Sequence, residues 1–195
     1  MTQIARYTAS IAMLCLAIVL FACQRKPDYS REVSMLDSLR VQMLSSFDST
    51  AVLKSTECEA WQDSASAKIL FIQNEYKALM PSAMALQISD YQQAMFRFNE
   101  PEKTFNQLTE AYRLEKKQIE DLIATLKSNA THDALGNEIT PIYVQEALKA
   151  EQKASQDWIN NWVNAKAALN QTESAHQRME TDIKAIVDSL KKTIE

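Results

Sequence analysis

The chain has 195 residues, with 21 Lys and Arg against 25 Asp and Glu, a formal net charge of −4. With no basic excess and no basic stripe, nucleic-acid binding through phosphate neutralisation is not expected. The single glycine, Gly136, argues against hairpins, phosphate-cradling loops and a compact α/β sheet, all of which need positive φ or close backbone approach.

The N-terminus reads as a targeting segment. Met1 to Tyr7 is short and polar, with one cation, Arg6, and no acid. Ile11 to Phe21 is an almost unbroken apolar run. Even counted from Thr8 it is shorter than the ~20 residues a spanning helix needs, so it suits a signal-peptide core better than a permanent anchor. The run ends in Leu20-Phe21-Ala22-Cys23, which resembles the lipobox of bacterial lipoproteins. That resemblance covers about the first 26 residues. It implies cleavage before Cys23, a diacylglyceryl group on its thiol and acylation of the new amine. The alternatives are an ordinary secretory signal or an uncleaved segment. Cys15 lies inside the apolar run and does not compete.

The resemblance also implies an address. Gln24, rather than Asp, follows the cysteine, which in the best-known sorting scheme sends a lipoprotein to the outer membrane. Arg25-Lys26 come next, so no acidic surface-export cluster follows and the protein should face the periplasm. The expected division is 1–22 signal peptide, 23–29 lipidated cysteine and tether, and 30–195 a single helical domain.

Within that domain the first helix is predicted from Ser30 as N-cap, with Glu32 in its first turn. Val33, Leu36, Leu39, Met43 and Phe47 form its apolar stripe. Ser45 to Thr56 is rich in Ser and Thr and should weaken or end it. Thr56-Glu57-Cys58-Glu59 matches a capping box, placing the second helix start at Thr56, with Cys58 buried near its first turn or left as a free thiol. Ile69, Ile72, Tyr76 and Leu79 form that helix's face, and Pro81 interrupts it.

Beyond Pro81 a heptad stripe begins: Met84, Tyr91, Phe98, Phe105, Tyr112, Ile119 and Leu126. Ile88, Met95 and Ile123 supply the complementary positions, whereas Glu102, Thr109 and Lys116 do not. The stripe keeps phase through Pro101, so a kink or short restart is expected there, with Asn99 as candidate cap. Ser128 to Thr140 collects turn formers and Gly136, and reads as a loop. Thr140-Pro141 then signals an N-cap and N1 proline, opening an unbroken helix to Glu195. Its seam is Trp158, Trp162, Ala165, Leu169, Thr172, His176, Met179, Ile183, Ile186 and Leu190, with Lys191 and Lys192 in the last turn. The prediction is all-α: an elongated antiparallel bundle of three or four helices, with coiled-coil character and one long C-terminal helix. That helix would need a partner, or a second copy of the chain, wherever it projects beyond its neighbours.

No Ser/His/Asp set, glycine-rich phosphate loop, haem-attachment motif or zinc spacing is present, so no enzyme activity and no cofactor are expected. Glu173-Ser174-Ala175-His176 is a Glu-x-x-His on a helix, the unit that di-iron bundles use in pairs. It occurs once, and no other predicted helix carries a histidine, since His132 is in the loop. The preferred reading of His176 is therefore a partly buried histidine bonded to a carboxylate across the bundle, with metal or Met/His haem ligation as the alternative. Trp158 and Trp162, four apart, read as core packing, with a partner-binding hot spot as the alternative. The functional expectation is a non-enzymatic, membrane-anchored interaction or structural module of the cell envelope, engaging a protein partner or itself through its seams. A bundle carrying a metal, haem or apolar molecule is the alternative.

Overall fold

Three helical rods run up, down and up in the computed structural model, which describes residues 27–76, 79–98, 100–128 and 130–194. The first rod is α1 (Ser30–Ser46) followed by α2 (Ser49–Glu75), and the second is α3 (Ser82–Met95) followed by α4 (Glu100–Lys127). The third is one uninterrupted helix, α5 (Pro141–Ile194). Its 54 residues rise about 80 Å at 1.5 Å each. The protein is an elongated all-α bundle with a long C-terminal helix. Cys23, residues 1–22 and Asn99 lie outside the described residues. Among those described, no helix is long and apolar enough to cross a membrane.

The rods pair because each buries one stripe. Leu36 and Met43 of α1, Phe105, Ile119, Ile123 and Leu126 of α4, and Val144, Leu148, Trp158, Trp162 and Leu169 of α5 share one core with Cys58 of α2. A second core, farther along, joins Ile69 and Ile72 of α2, Ile88 and Tyr91 of α3, and Ile183, Ile186 and Val187 of α5. Every position of the predicted heptad from Met84 to Leu126 is buried or half-buried. So is every position of the α5 seam from Trp158 to Leu190. That helix is covered within one chain as far as Leu190 and Lys191, the latter lying over the ring of Phe71.

The first rod departs from expectation. Its break is at Phe47-Asp48, not at Thr56. Asp48 caps α2, its Oδ1 accepting the Thr50 amide at 3.0 Å, and Lys166 of α5 donates to its other oxygen at 2.6 Å. Phe47 leaves helical geometry and packs between Tyr112 and Trp162, which fixes the break where it is. Thr56 sits inside α2, and its hydroxyl donates to the Leu53 carbonyl rather than capping anything. Cys58 is buried, but in the third turn. Tyr29, not Ser30, is the N-cap of α1, because Asp28 Oδ1 takes the Ser30 amide. At the far end α2 stops at Glu75, so Leu79 leaves the predicted face and is 98 % exposed.

The loop behaves as predicted. Gly136 has φ +87°, a conformation that favours glycine. Asp133 organises the turn: its carboxylate accepts the Leu135 and Asn137 amides, the Asn137 side chain and the Tyr143 hydroxyl, all at 2.8–3.0 Å. Asn137 first, and then Tyr143 and Leu135, hold that carboxyl down at about 2. Thr140 Oγ1 accepts the Tyr143 amide, so α5 starts on the predicted cap.

Candidate functional site

The long seam of α5 carries the polar and aromatic residues from which a site would be built. Trp158 and Trp162 stack on each other at 5.2 Å. Phe105 meets Trp162 edge-on at 5.1 Å, and Tyr112 lies 5.2 Å from Trp158. The Trp158 indole donates to the Leu108 carbonyl at 2.8 Å, while Nε1 of Trp162 is buried without an acceptor. Both rings lie in the chain's own core and have no surface to give a partner unless the bundle opens.

Fourteen positions beyond Trp162, His176 stacks face to face on Trp61 of α2, 4.7 Å between centroids and 7° from parallel. Phe98, in the turn between α3 and α4, meets it edge-on at 5.5 Å. Nδ1 is buried without a hydrogen-bond partner. The expected carboxylate bond is therefore replaced by ring packing. Glu180, four residues on along α5, is engaged by Lys68 and by the Tyr91 hydroxyl at 2.9 Å. Burial pushes the imidazole below its ordinary value; Lys68 adds to that and Glu180 opposes it. Burial works against the Glu180 carboxylate too, but Lys68 and Tyr91 outweigh it and the net shift is downward.

Glu173 does not join His176. Its carboxylate turns to Lys54 of α2 at 3.0 and 3.2 Å. The Glu-x-x-His spacing is thus split between two tasks, an ion pair and a ring stack. Among the described residues no three His, Cys, Asp or Glu side chains converge on a point where a metal could sit. Cys58 is no nucleophile: burial first, then Glu57, Glu102 and Glu173, push its thiol up to about 11. A surface groove of about 550 Å³ runs between α3, the start of α4 and α5, lined by Asp90, Arg97, Phe98, Glu100, Thr172 and Met179. His176 is not on its wall.

A second polar layer interrupts the α4–α5 seam. Glu151, 4 % exposed, lies between Leu148 and Ser155 on α5, and Glu115 faces it from α4. Gln118 Nε2 donates to Glu151 Oε1 at 2.7 Å, and the fully buried Ser155 hydroxyl donates to Glu115 Oε1 at 3.3 Å. Glu151 Oε2 is buried with no donor. Burial first, and then the neighbouring Glu151, raise the Glu115 carboxyl to about 7. No family model, curated protein or solved structure matches the chain.

Stepping the α5 seam backward from Trp158 by three and four gives Ser155, Glu151, Leu148 and Val144. Leu108, Glu115 and Leu122 likewise form a second flank of the heptad stripe. The two glutamates at apolar positions were therefore a readable signal, one that the seam as drawn from Trp158 onward stops short of.

Chemically, one centre packs an imidazole between rings and the other sets two carboxyl groups face to face. Each is closed over by side chains from at least two helices, and neither pairs a nucleophile with a base that a substrate can reach.

Proposed function

We propose that this protein is a lipoprotein anchored in the outer membrane through Cys23, facing the periplasm, whose bundle is a non-enzymatic interaction or structural module of the envelope. The observation that carries the reading is the Leu20-Phe21-Ala22-Cys23 motif, six residues ahead of the point where the packed chain begins at Tyr29. Tyr29 and Val33 line a groove with Leu126 and Lys127, at the loop end of the bundle. A lipid on Cys23 would therefore seat that end at the membrane. The opposite end, around Glu75–Ser82 and the last turns of α5, would stand about 80 Å away. A filled core and a long continuous helix suit a spacer or docking post. A ligand carrier would want His176 on a cavity wall, and it is packed between Trp61 and Phe98 instead.

The test is metabolic labelling of the full chain with a clickable palmitate in a bacterium with two membranes, beside Cys23→Ala. The expected result is label on the wild type, its loss in the variant, and recovery of the wild type with outer membranes. Label that survives Cys23→Ala, or none on the wild type, overturns the anchor. For the module, a photo-crosslinker at exposed Leu53, Leu70 or Val163 should trap discrete protein adducts in intact envelopes. Anchored protein that gives no adduct from any of the three overturns that part.

A further inference from the structure

We propose that Glu115 and Glu151 hold one proton between them, so that this layer of the α4–α5 seam is latched while the pair keeps that proton and loosens when the proton is lost. The geometry demands some positive partner for Glu151. Its Oε1 has the Gln118 amide, but its Oε2 is buried and has no donor. An ionised carboxylate left like that among apolar side chains is costly, and two facing carboxylates do not both ionise readily. A hydroxyl on Glu115 pointed at Glu151 removes both problems. It satisfies the bare oxygen and leaves one negative charge instead of two. The other Glu115 oxygen keeps the Ser155 hydroxyl in either state.

Among the described residues no ion pair joins a cation to Glu115 or Glu151. Arg40 contacts Glu120 and Phe47 stacks on Tyr112, so residues 40–47, the end of α1 and the break after it, lie at the level of the pair. Arg40 is the one charged residue in that stretch, and its guanidinium goes to Asp37 at 3.1 Å and Glu120 at 3.5 Å. On α4, Lys116 turns to Glu120 and Lys117 to Asp121. On α5, Lys153 is exposed and pairs with Asp157, and the Tyr143 phenol, which feels the Glu151 charge, donates to Asp133. The upward shift of Glu115, to about 7, agrees with a proton retained near neutrality.

The sign of the pH response follows. Between the ordinary glutamate range and about pH 7 the closed layer binds one proton more than the opened one, so stability falls as pH rises through this window and levels off above it. Each pH unit inside the window multiplies the opening equilibrium by up to about tenfold for one proton. The experiment is hydrogen exchange on the full chain between pH 5 and 8, corrected for intrinsic rates and read at amides from Glu151 to Trp158. Glu115→Gln is the comparison, since its amide donates permanently to Glu151. The wild type should open more easily as pH rises and then level off, while E115Q shows no slope. Observing the Glu carboxyl carbons by 13C NMR should find one that titrates above pH 6 in the wild type. A flat wild-type profile, a slope kept in E115Q, or all carboxyls titrating in the ordinary range overturns the proposal. So does layer-specific protection by added Ca²⁺ or Zn²⁺ that Glu151→Gln abolishes, because the bare oxygen would then belong to a metal. If E115Q does not fold, the carboxyl titration of the wild type alone decides.

Discussion

Truncating Trp162 to alanine tests whether the aromatic seam is the chain's own core. The ring is 1 % exposed and meets Phe47 at 4.9 Å, Phe105 at 5.1 Å and Trp158 at 5.2 Å. Removing a buried aromatic costs about 3–5 kcal/mol in lost transfer energy and residual cavity. Here three other rings border the cavity, and stiff rings with few rotamers refill space poorly, so the upper half of that range applies. For a chain of this size each kcal/mol moves Tm by about 2–4 °C, so about 4 kcal/mol lowers it by roughly 8–16 °C. Trp162→Phe should lose much less. It keeps a ring in the stack and removes the indole N–H, which is buried without an acceptor, a fault worth about 1–3 kcal/mol. Val163→Ala is the control; at 57 % exposure it should stay within about 0.5 kcal/mol of the wild type. The assay is thermal unfolding followed by circular dichroism at 222 nm, with far-ultraviolet spectra confirming that each variant is helical at the start. A W162A midpoint within about 2 °C of the wild type would refute the reasoning, because the ring would then contribute no more to the fold than a surface side chain.

Other predictions follow from single features. Cys58, buried and with its thiol raised to about 11, should resist Ellman's reagent in the native protein and react fully in denaturant; rapid native labelling would contradict its placement. Gly136→Ala should destabilise by about 1 kcal/mol through the left-handed backbone alone, since a Cβ there meets nothing within 4 Å; an unchanged chemical-denaturation midpoint would count against that strain. His176 is held below its ordinary value by burial, so folding favours its neutral form. Its contribution is intact above pH 6.5 and is lost as pH falls below that, and H176F should show a shallower loss between pH 6.5 and 5 by thermal melts; identical profiles would refute this. The Lys54–Glu173 pair is partly exposed, so K54A should cost under about 1 kcal/mol, and a larger loss in a urea titration would mean that the ion pair is not solvent-screened.

The parts of the fold that local pattern decides were legible. A seven-residue apolar repeat buries one face whatever it packs against, so Met84 to Leu126 and the α5 seam stand where their spacing puts them. Thr140-Pro141 and Gly136 act through their own backbone geometry, and that too is local. What failed was the start of the second helix, read at Thr56 and found at Asp48-Ser49. Thr56-Glu57-Cys58-Glu59 matches a capping box, and Asp48-Ser49-Thr50 offers an equally good cap. The decision came from far along the chain, through Phe47 against Trp162 and Lys166 on Asp48. The histidine shows the same limit. Spacing placed His176 on the seam, but only the fold brings Trp61 across to cover it in place of a carboxylate. The glutamate layer was readable as two acids at apolar register positions. That they meet each other depends on the axial stagger of α4 against α5, which no single-helix pattern contains.

The two breaks in the rods fall at different heights. Phe47 fills the first beside Trp162, and Phe98 closes the second beside His176, about 21 Å farther along α5. Weak points staggered like joints in brickwork are each spanned by two continuous helices at their own level. A bending load finds no cross-section with two interruptions, and α5 runs past both as a splint. The bundle should therefore resist flexing as a single beam despite being assembled from short pieces, and lengthening either break by a few residues should soften it far less than one interruption in α5.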